Sequence, residues 1–337
     1  MTTSLLAGLE LSGRSPELME ELEAISRQVE DELNRVVETD VKLVSDVARH
    51  TLRSGGKRLR PAFVSLAARA AGKDFDQEQA VRVGVAMELI HMATLVHDDV
   101  IDNADLRRGR PTAGAVFGNT AAVLSGDAFL GRAVGLLVQD RDSDVIAAVA
   151  EAVQDMAIGE VREVETRGLF DLSEQDHLWI LDKKTASFIR CCCRVGAVLA
   201  GAPQPTRDSL ASFGYHLGMA FQIADDILDY RGRRDMTGKS IGTDFREGCA
   251  TLPLIRLRPK ISEAEREVVE QKFGNGVTED EIRMIGSWME ARGAFEESEN
   301  VAREHVRAAC KAIRTLPDSP ARDILDGLAE FALERKA

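Results

Sequence analysis

Aromatic residues and prolines are scarce in this sequence. Tryptophan and tyrosine occur twice each, aromatics make up 5% of the 337 residues, and there are only 9 prolines. Because proline breaks helices, a chain with so few of them can form long ones. No segment shows sustained alternation of polar and apolar residues rich in β-branched side chains, which a half-buried strand would require. We therefore expect an all-α protein.

An excess of positive charge is also missing. The formal net charge is −13, so no overall basic field would attract a nucleic acid, and we expect no nucleic-acid partner. The longest uncharged stretch, residues 111–126, is too short to span a bilayer and is rich in Gly, Thr and Asn. The N-terminus has no basic lead-in typical of a signal peptide. We expect a cytoplasmic protein without a stable membrane anchor.

The five cysteines form no recognisable framework. Three are adjacent in the chain, and the other two lie far away in sequence. Adjacent cysteines do not pair comfortably with one another, and no CxxC or Cys/His spacing indicates zinc. The cysteines are therefore interpreted as small packing residues in a reducing compartment.

Apolar residues recur at helical spacing from residue 15 onward, beginning with the stripe Leu18, Leu22, Ile25, Val29 and Leu33. No low-complexity linker divides the chain, so we expect one domain over residues 1–337, built as a bundle of long antiparallel helices. Residues 231–247 are the longest irregular stretch. Further helices are predicted over residues 41–53, 61–71, 76–102, 113–137 with a break near 118, 143–166, 173–199, 206–230 and 250–258, followed by three amphipathic segments.

Two copies of one acidic pattern stand out within apolar segments: DDVID from Asp98 and DDILD from Asp225. Residues four apart share a helix face, so the first and last carboxylates of each copy point together. Carboxylates among apolar side chains are costly unless a positive charge neutralises them. Mg²⁺ binds through one or two carboxylates plus substrate phosphates. Two such clusters indicate a diphosphate held between them; a solvated acidic helix face is the alternative.

Two basic segments complement these acids. GGKRLRP from Gly55 places three cations between a glycine pair and a proline, and RRGRPT begins at Arg107, five residues after Asp102. Glycines allow backbone N–H groups to approach an anion, lysine supplies a point charge, and arginine supplies a fork for phosphate oxygens. Diphosphate binding is the functional interpretation. A basic surface turn and a network of salt bridges are the alternatives.

Six motifs in a fixed order carry a family resemblance: GGKRLRP, LIHMATLVHDDVID, RRGRPT, KTAS from Lys184, FQIADDILD, and GKSIGTDFREGCATLP from Gly238. Over most of its length the chain resembles the all-trans polyprenyl diphosphate synthases of the long-chain type. The resemblance implies the isoprenoid synthase fold around a central cavity, a homodimer, and condensation of isopentenyl diphosphate with an allylic diphosphate. The chain departs from the family at Cys249, where many relatives carry lysine.

The resemblance also implies roles for individual residues. Asp98 and Asp102 are expected to bind two Mg²⁺ ions and Asp225 a third. Asp99 faces about 100° away from Asp98 on a helix, so it is more suited to orienting a water or a cation. The other implied contacts are Arg107 to the allylic diphosphate; Lys57, Arg60, His91 and Arg108 to isopentenyl diphosphate; Lys184, Thr185, Gln222 and Lys239 around the reacting groups; and Asp99, Asp226 and Asp229 as secondary metal candidates.

Product length in this family depends on residues one turn before the first acidic cluster, here Ala93 and Thr94. Neither is aromatic, so we expect a product longer than farnesyl, of about thirty to fifty carbons, suited to a quinone side chain. A geranylgeranyl or farnesyl diphosphate synthase is the alternative; a terpene cyclase or a regulatory subunit fits the two intact clusters less well. Deeper residues that are candidates for the floor are Met87, Ile90, Phe129 and Val134.

Overall fold

The computed structural model describes residues 16–56, 58–72, 74–232 and 241–334. Helices dominate these ranges, which confirms the all-α prediction. The helices up to residue 166 are α1 (Pro16–Val36), α2 (Lys42–Arg53), α3 (Leu59–Ala71), α4 (Gln77–Ile101), α5 (Ala113–Phe117), α6 (Asn119–Leu137) and α7 (Ser143–Thr166). A hairpin of two short strands, β1 (Leu106–Arg107) and β2 (Arg110–Pro111), lies between α4 and α5.

The remaining helices follow without further strands in the described ranges. They are α8 (Glu174–Leu181), α9 (Ser187–Leu199), α10 (Gln204–Arg231), α11 (Thr243–Arg246), α12 (Leu252–Leu257), α13 (Glu263–Lys272), α14 (Glu279–Ala291), α15 (Ala294–Ile313) and α16 (Pro320–Glu334). A π-helical segment, Asp182–Ala186, joins α8 to α9, and single 3₁₀ turns occupy Val138–Asp140 and Arg258–Lys260.

Two predictions about the second half of the chain are wrong. Four helices, α13 to α16, follow residue 258 where three segments were predicted, and the stretch 231–247 contains the short helix α11. The extra boundaries have a local cause. Ser262 with Glu265 and Thr278 with Glu281 each form a capping box, in which side chains satisfy the first backbone N–H groups of a helix.

The chain divides into two compact units. Unit 1 comprises residues 1–150, 191–211 and 313–327, and unit 2 comprises residues 151–190, 212–312 and 328–337. The expectation of a single domain over the whole chain stays a prediction. In unit 1, the stripe predicted on α1 is buried at Leu22, Ile25, Val29 and Leu33. In unit 2, aromatic side chains join the aliphatic core, with edge-to-face contacts of Phe273 with Phe170 and Phe245.

Small residues set the close approach of helices in unit 1. A Cβ added at Gly126 of α6 would lie 2.2 Å from Nε2 of His97 on α4, and one at Gly196 of α9 would lie 2.3 Å from the Val64 carbonyl oxygen on α3. Both distances are far below van der Waals contact, so only glycine fits. Gly126 therefore allows α6 to pack closely against α4, whereas Gly131 and Gly135 face open space. The packing fixes α4, which carries the first acidic cluster.

Two described segments, Gln77–Ile101 and Asn119–Asp140, are long and apolar enough to cross a membrane by length and composition. In the first, 72% of the apolar window is buried inside the protein. A core helix of a soluble protein passes the same test, so these segments are weak evidence for a membrane span.

Candidate active site

The first acidic cluster lies at the end of α4. Asp98 and Asp102 are half-buried and one turn apart; the Asp102 backbone N–H donates to the Asp98 carbonyl at 2.8 Å, and Asp102 is the C-terminal cap of the helix. The C-terminus is the negative end of the helix dipole, where carboxylates are unfavourable and a cation is stabilised. Charge and position therefore make this helix end suitable for a metal ion.

Asp99 points elsewhere, as its helical angle predicts. It is buried, and one of its oxygens accepts a hydrogen bond from Nε of Arg107 at 2.7 Å. Arg107 lies in the hairpin, whose turn residues Arg108 and Gly109 both have positive φ angles of 52° and 74°. This is the geometry of a tight two-residue hairpin turn. Asp99 thus orients Arg107, for which the family resemblance implies contact with the allylic diphosphate.

The hairpin is also attached to the end of α2. Nη1 of Arg110 donates to the Arg53 carbonyl at 2.6 Å, and Nε2 of His50 lies 2.7 Å from the Pro111 carbonyl. Nη1 of Arg108 donates to the Gly55 carbonyl. These contacts bring the two basic segments together, although about fifty residues separate them in sequence.

Four arginines act electrostatically on His91. The pKa of His91 is well below its usual value, first because it loses hydration and then because Arg60, Arg108, Arg107 and Arg58 repel a proton on the ring. We call these four residues the arginine cluster. His91 is therefore neutral near pH 7 and offers an uncharged donor or acceptor within a positive pocket.

Two members of the cluster, Arg60 and Arg108, lose hydration inside the protein. Within the described residues, Nε of Arg60 is buried without a hydrogen-bond partner. Loss of hydration lowers the pKa of Arg60, and loss of hydration with repulsion from Arg107 and Arg58 lowers the pKa of Arg108. Both guanidinium groups remain charged, so a bound anion would compensate the lost hydration and the repulsion between them. Lys57, the remaining predicted cation of this group, lies outside the described residues.

In unit 2, the three aspartates of the second cluster have different surroundings. Asp226 is buried and lies 2.8 Å from Nε2 of His177 on α8. The Asp229 carboxylate accepts from the backbone N–H groups of Thr243 and Asp244 at 3.0 and 3.1 Å, and so anchors the start of α11. Asp225 is half-buried on α10. Asp226 and Asp229 thus hold parts of unit 2 in place, and the metal-binding role predicted for Asp225 stays a prediction.

Replacing His177 with alanine is expected to lower the free energy of unfolding by about 2 kcal/mol, because it leaves the buried Asp226 carboxylate without this partner. Urea denaturation followed by circular dichroism measures the change. Gln175→Ala, at an exposed position of the same helix, is the matched control. Equal stability of the two variants would show that the contact is unimportant.

Asp244 was missed by the sequence analysis. Its pKa is raised well above the usual value, first by loss of hydration and then by repulsion from Asp229, Asp226 and Glu163. Unit 2 therefore gathers several carboxylates around the second cluster, a place where positive charge is favoured.

Lys184 and Thr185 lie in the π-helical segment that joins α8 to α9. Gly159 of α7 packs directly against this segment, since a Cβ there would lie 2.7 Å from the Lys184 backbone nitrogen. Such π-helical turns are frequent at functional sites because they turn side chains away from the regular helical position. Both residues are half-buried, so neither is an ordinary residue of a helix surface.

Two glutamates of α7 hold Lys184 in place. Its Nζ lies 2.6 Å from Glu163 and 2.8 Å from Glu160. Loss of hydration opposes the charge, but attraction from Glu163 and Glu160 outweighs it and raises the pKa of Lys184. Gln222 is half-buried on α10, three residues before Asp225, and thus near the same helix face. Lys239 lies outside the described residues.

The residues expected to govern product length lie on α4. Ala93 is fully buried, and the hydroxyl of half-buried Thr94 donates to the His91 carbonyl at 2.9 Å. Met87, Ile90 and Phe129 are buried in unit 1. Val134 is 57% exposed on α6, so its assignment to an internal floor of this unit is wrong. Its neighbours in sequence gave no indication of which side of α6 faces solvent.

The donor set fits Mg²⁺. The described residues contain no group of three or more His, Cys, Asp or Glu side chains arranged around a metal. Mg²⁺ binds through one or two carboxylates and completes its shell with water and phosphate. The pair Asp98 and Asp102 supplies hard oxygen donors of this kind, and Asp225 another in unit 2.

Known proteins are similar to this chain over most of its length. Residues 41–287 match the family model described as Polyprenyl synthetase. Heptaprenyl diphosphate synthase component 2 of Geobacillus stearothermophilus is 36% identical, covering 91% of this chain and 94% of the relative. Octaprenyl diphosphate synthase of Escherichia coli (strain K12) is 34% identical, with 94% and 96% covered.

Solved structures agree with the sequence comparisons. The polyprenyl synthase from Caulobacter crescentus CB15, complexed with calcium and isoprenyl diphosphate, has a TM-score of 0.90 at 36% identity, covering 95% of this chain and 97% of that one. A decaprenyl diphosphate synthase from Rhodobacter capsulatus has a TM-score of 0.88 at 33% identity, with 95% and 98% covered. The chain therefore belongs to the polyprenyl synthetase family, has the isoprenoid synthase fold, and is a prenyltransferase.

Proposed function

We propose that this chain condenses isopentenyl diphosphate with an allylic diphosphate primer and releases a long-chain all-trans polyprenyl diphosphate. The observation that carries the proposal is the arginine cluster joined to the first acidic cluster through the contact of Arg107 with Asp99. Concentrated positive charge joined to a pair of carboxylates suited to metal ions would serve two diphosphates, one that leaves with metal ions and one that stays on fixed cations.

One diphosphate departs during the reaction and the other remains. The allylic C–O bond breaks, pyrophosphate leaves with the bonding electrons, the isopentenyl double bond forms the new C–C bond, and a proton is lost to the pyrophosphate. When bound at Asp98, Asp102 and Asp225, three Mg²⁺ ions would supply positive charge to the leaving group. Arg107 would orient the allylic diphosphate.

The retained diphosphate needs fixed cations rather than exchangeable ones. Lys57, Arg60 and Arg108 would hold isopentenyl diphosphate while its double bond is directed at the allylic carbon, with neutral His91 as a hydrogen-bond partner. By the family resemblance, Lys184 and Lys239 would contact the allylic diphosphate. The side-chain oxygens of Thr185 and Gln222 would place partial negative charge near the allylic cation.

The proposed product has about thirty to fifty carbons. Two observations support this range: no aromatic residue occupies position 93 or 94, and the long-chain names heptaprenyl, octaprenyl and nonaprenyl recur among the relatives. The test uses purified protein with Mg²⁺, isopentenyl diphosphate and geranyl, farnesyl or geranylgeranyl diphosphate, followed by mass spectrometry of the products. Products that stop at farnesyl or geranylgeranyl would establish the shorter-chain alternative.

We also propose a cytoplasmic homodimer whose interface includes α6. Leu124, Val134 and Val138 are 60%, 57% and 47% exposed, and Gly131 and Gly135 between them face open space. Leu124, Gly131, Gly135 and Val138 fall on one face at helical spacing. An exposed apolar face favours association with another protein surface.

The variant Leu124→Glu is expected to convert the dimer into monomers, because it places a charge in the apolar face. Analytical ultracentrifugation measures the mass. Val268→Glu, at a 44% exposed apolar position on α13, is the control and should leave the mass unchanged. A dimer that persists in Leu124→Glu would move the interface elsewhere.

A further inference from the structure

The second cation of the GGKRLRP segment, Arg58, is directed into the protein. Its side chain is 7% exposed, with Nε 2.6 Å from Glu30 of α1 and Nη1 2.9 Å from Glu88 of α4. The backbone of Arg58 is left-handed, with φ 48° and ψ 44°, a conformation that residues with a Cβ seldom adopt. Arg58 therefore connects α1 and α4 to the beginning of α3, and its charge is already neutralised.

Glu88 is the buried counter-charge of this cluster. It is 3% exposed, and its Oε2 has no hydrogen-bond partner among the described residues. Loss of hydration acts on Arg60 and Arg108, and in both groups the attraction of Glu88 opposes it. A carboxylate is costly to bury unless nearby cations compensate it. The buried charge of Glu88 is therefore compensated by the arginine cluster, and Glu88 in turn compensates part of the positive charge of the cluster.

The ion pairs in the cluster show which arginines are already neutralised. Asp99 forms an ion pair with Arg107, and Glu30 and Glu88 both form ion pairs with Arg58. Arg60 and Arg108 have no carboxylate within ion-pair distance in the described part of the chain. Of the four arginines, these two are therefore the ones left for isopentenyl diphosphate, the substrate that the proposed function assigns to them.

We propose that Glu88 is a positioning residue for isopentenyl diphosphate: it fixes Arg58 and keeps Arg60 and Arg108 close together before the substrate arrives. The inference rests on the proposed function, because it takes these two arginines to bind that substrate. Two effects of Glu88 oppose each other. The charge of Glu88 repels an anion, but pairing with Arg58 weakens this repulsion. Without Glu88, the three guanidinium groups would repel one another and separate.

The test is Glu88→Gln, which keeps the shape and one acceptor oxygen but removes the charge. We expect the KM for isopentenyl diphosphate to rise about 10- to 100-fold, as for loss of a charged hydrogen bond. The KM for farnesyl diphosphate and kcat should change little, since Arg107 and Asp99 are untouched. A purely structural role would instead lower the amount of active enzyme and leave both KM values alone.

Controls separate the possible outcomes. Glu78→Gln, at an exposed position in the first turn of α4, should match wild type. If Glu88→Gln does not fold, Glu30→Gln removes the other partner of Arg58 and should raise the same KM by a smaller factor. Calorimetric titration with isopentenyl diphosphate alone measures binding without turnover. If wild type binds and consumes isopentenyl diphosphate but Glu88→Gln keeps its KM, the inference alone falls; if wild type does neither, the proposed function falls with it.

Discussion

Replacing Asp98 with asparagine is expected to lower kcat about 10³-fold, as for the loss of one strong electrostatic contact to a developing charge. Asp98 lies half-buried one turn before the C-terminal cap of α4. Asparagine has nearly the same size as aspartate, so the change removes one negative charge and little else. The fold should be retained, because polar substitutions at partly exposed positions have small effects on stability. Steady-state kinetics with saturating substrates measures kcat.

The matched control is Asp105→Asn, an exposed carboxylate between α4 and the hairpin, which should keep wild-type activity. Asp102→Asn should resemble Asp98→Asn, and the double variant should be little worse than either, since both residues serve one metal-dependent step. A fully active Asp98→Asn variant would remove the first acidic cluster from the active site.

The second large effect is expected from Ala93→Phe, which should shorten the main product by several isoprene units. Ala93 is fully buried on α4, slightly more than one turn before Asp98. The sequence prediction that Ala93 limits chain length implies that a phenyl group there would obstruct the growing chain. Mass spectrometry of the products, with farnesyl diphosphate as primer, measures the distribution of chain lengths.

Overpacking needs a separate control, because a large side chain in a full core costs about 1–3 kcal/mol. Ala302→Phe introduces the same ring at a fully buried alanine of α15 and should lower stability without changing chain length. An unchanged product distribution in a folded Ala93→Phe variant would reject the assignment of Ala93 to the wall of the product path.

Features with local causes could be predicted from the sequence. The 3.6-residue period gave the stripe on α1, and the spacing of Asp98 and Asp102 placed them on one face of α4, with Asp99 directed elsewhere. The two capping boxes at Ser262 and Thr278 are also local signals, and attention to them would have given the correct number of helices after residue 258.

Contacts between distant segments could not be predicted in this way. His177 and Asp226 are 49 residues apart, and Arg58 and Glu88 are 30 apart. The glutamates that hold Lys184 come from a different helix, and the π-helical turn that presents this lysine has no recognisable sequence signal. The exposure of Val134 likewise depends on which helices cover α6, which its own sequence does not specify.

The most direct test of the central claim is the release of pyrophosphate from farnesyl diphosphate by the purified protein, measured with and without isopentenyl diphosphate and Mg²⁺. The proposed condensation predicts release only when both are present, with one pyrophosphate formed for each isopentenyl unit consumed. Release from farnesyl diphosphate alone, or release unaffected by chelation of Mg²⁺, would contradict it.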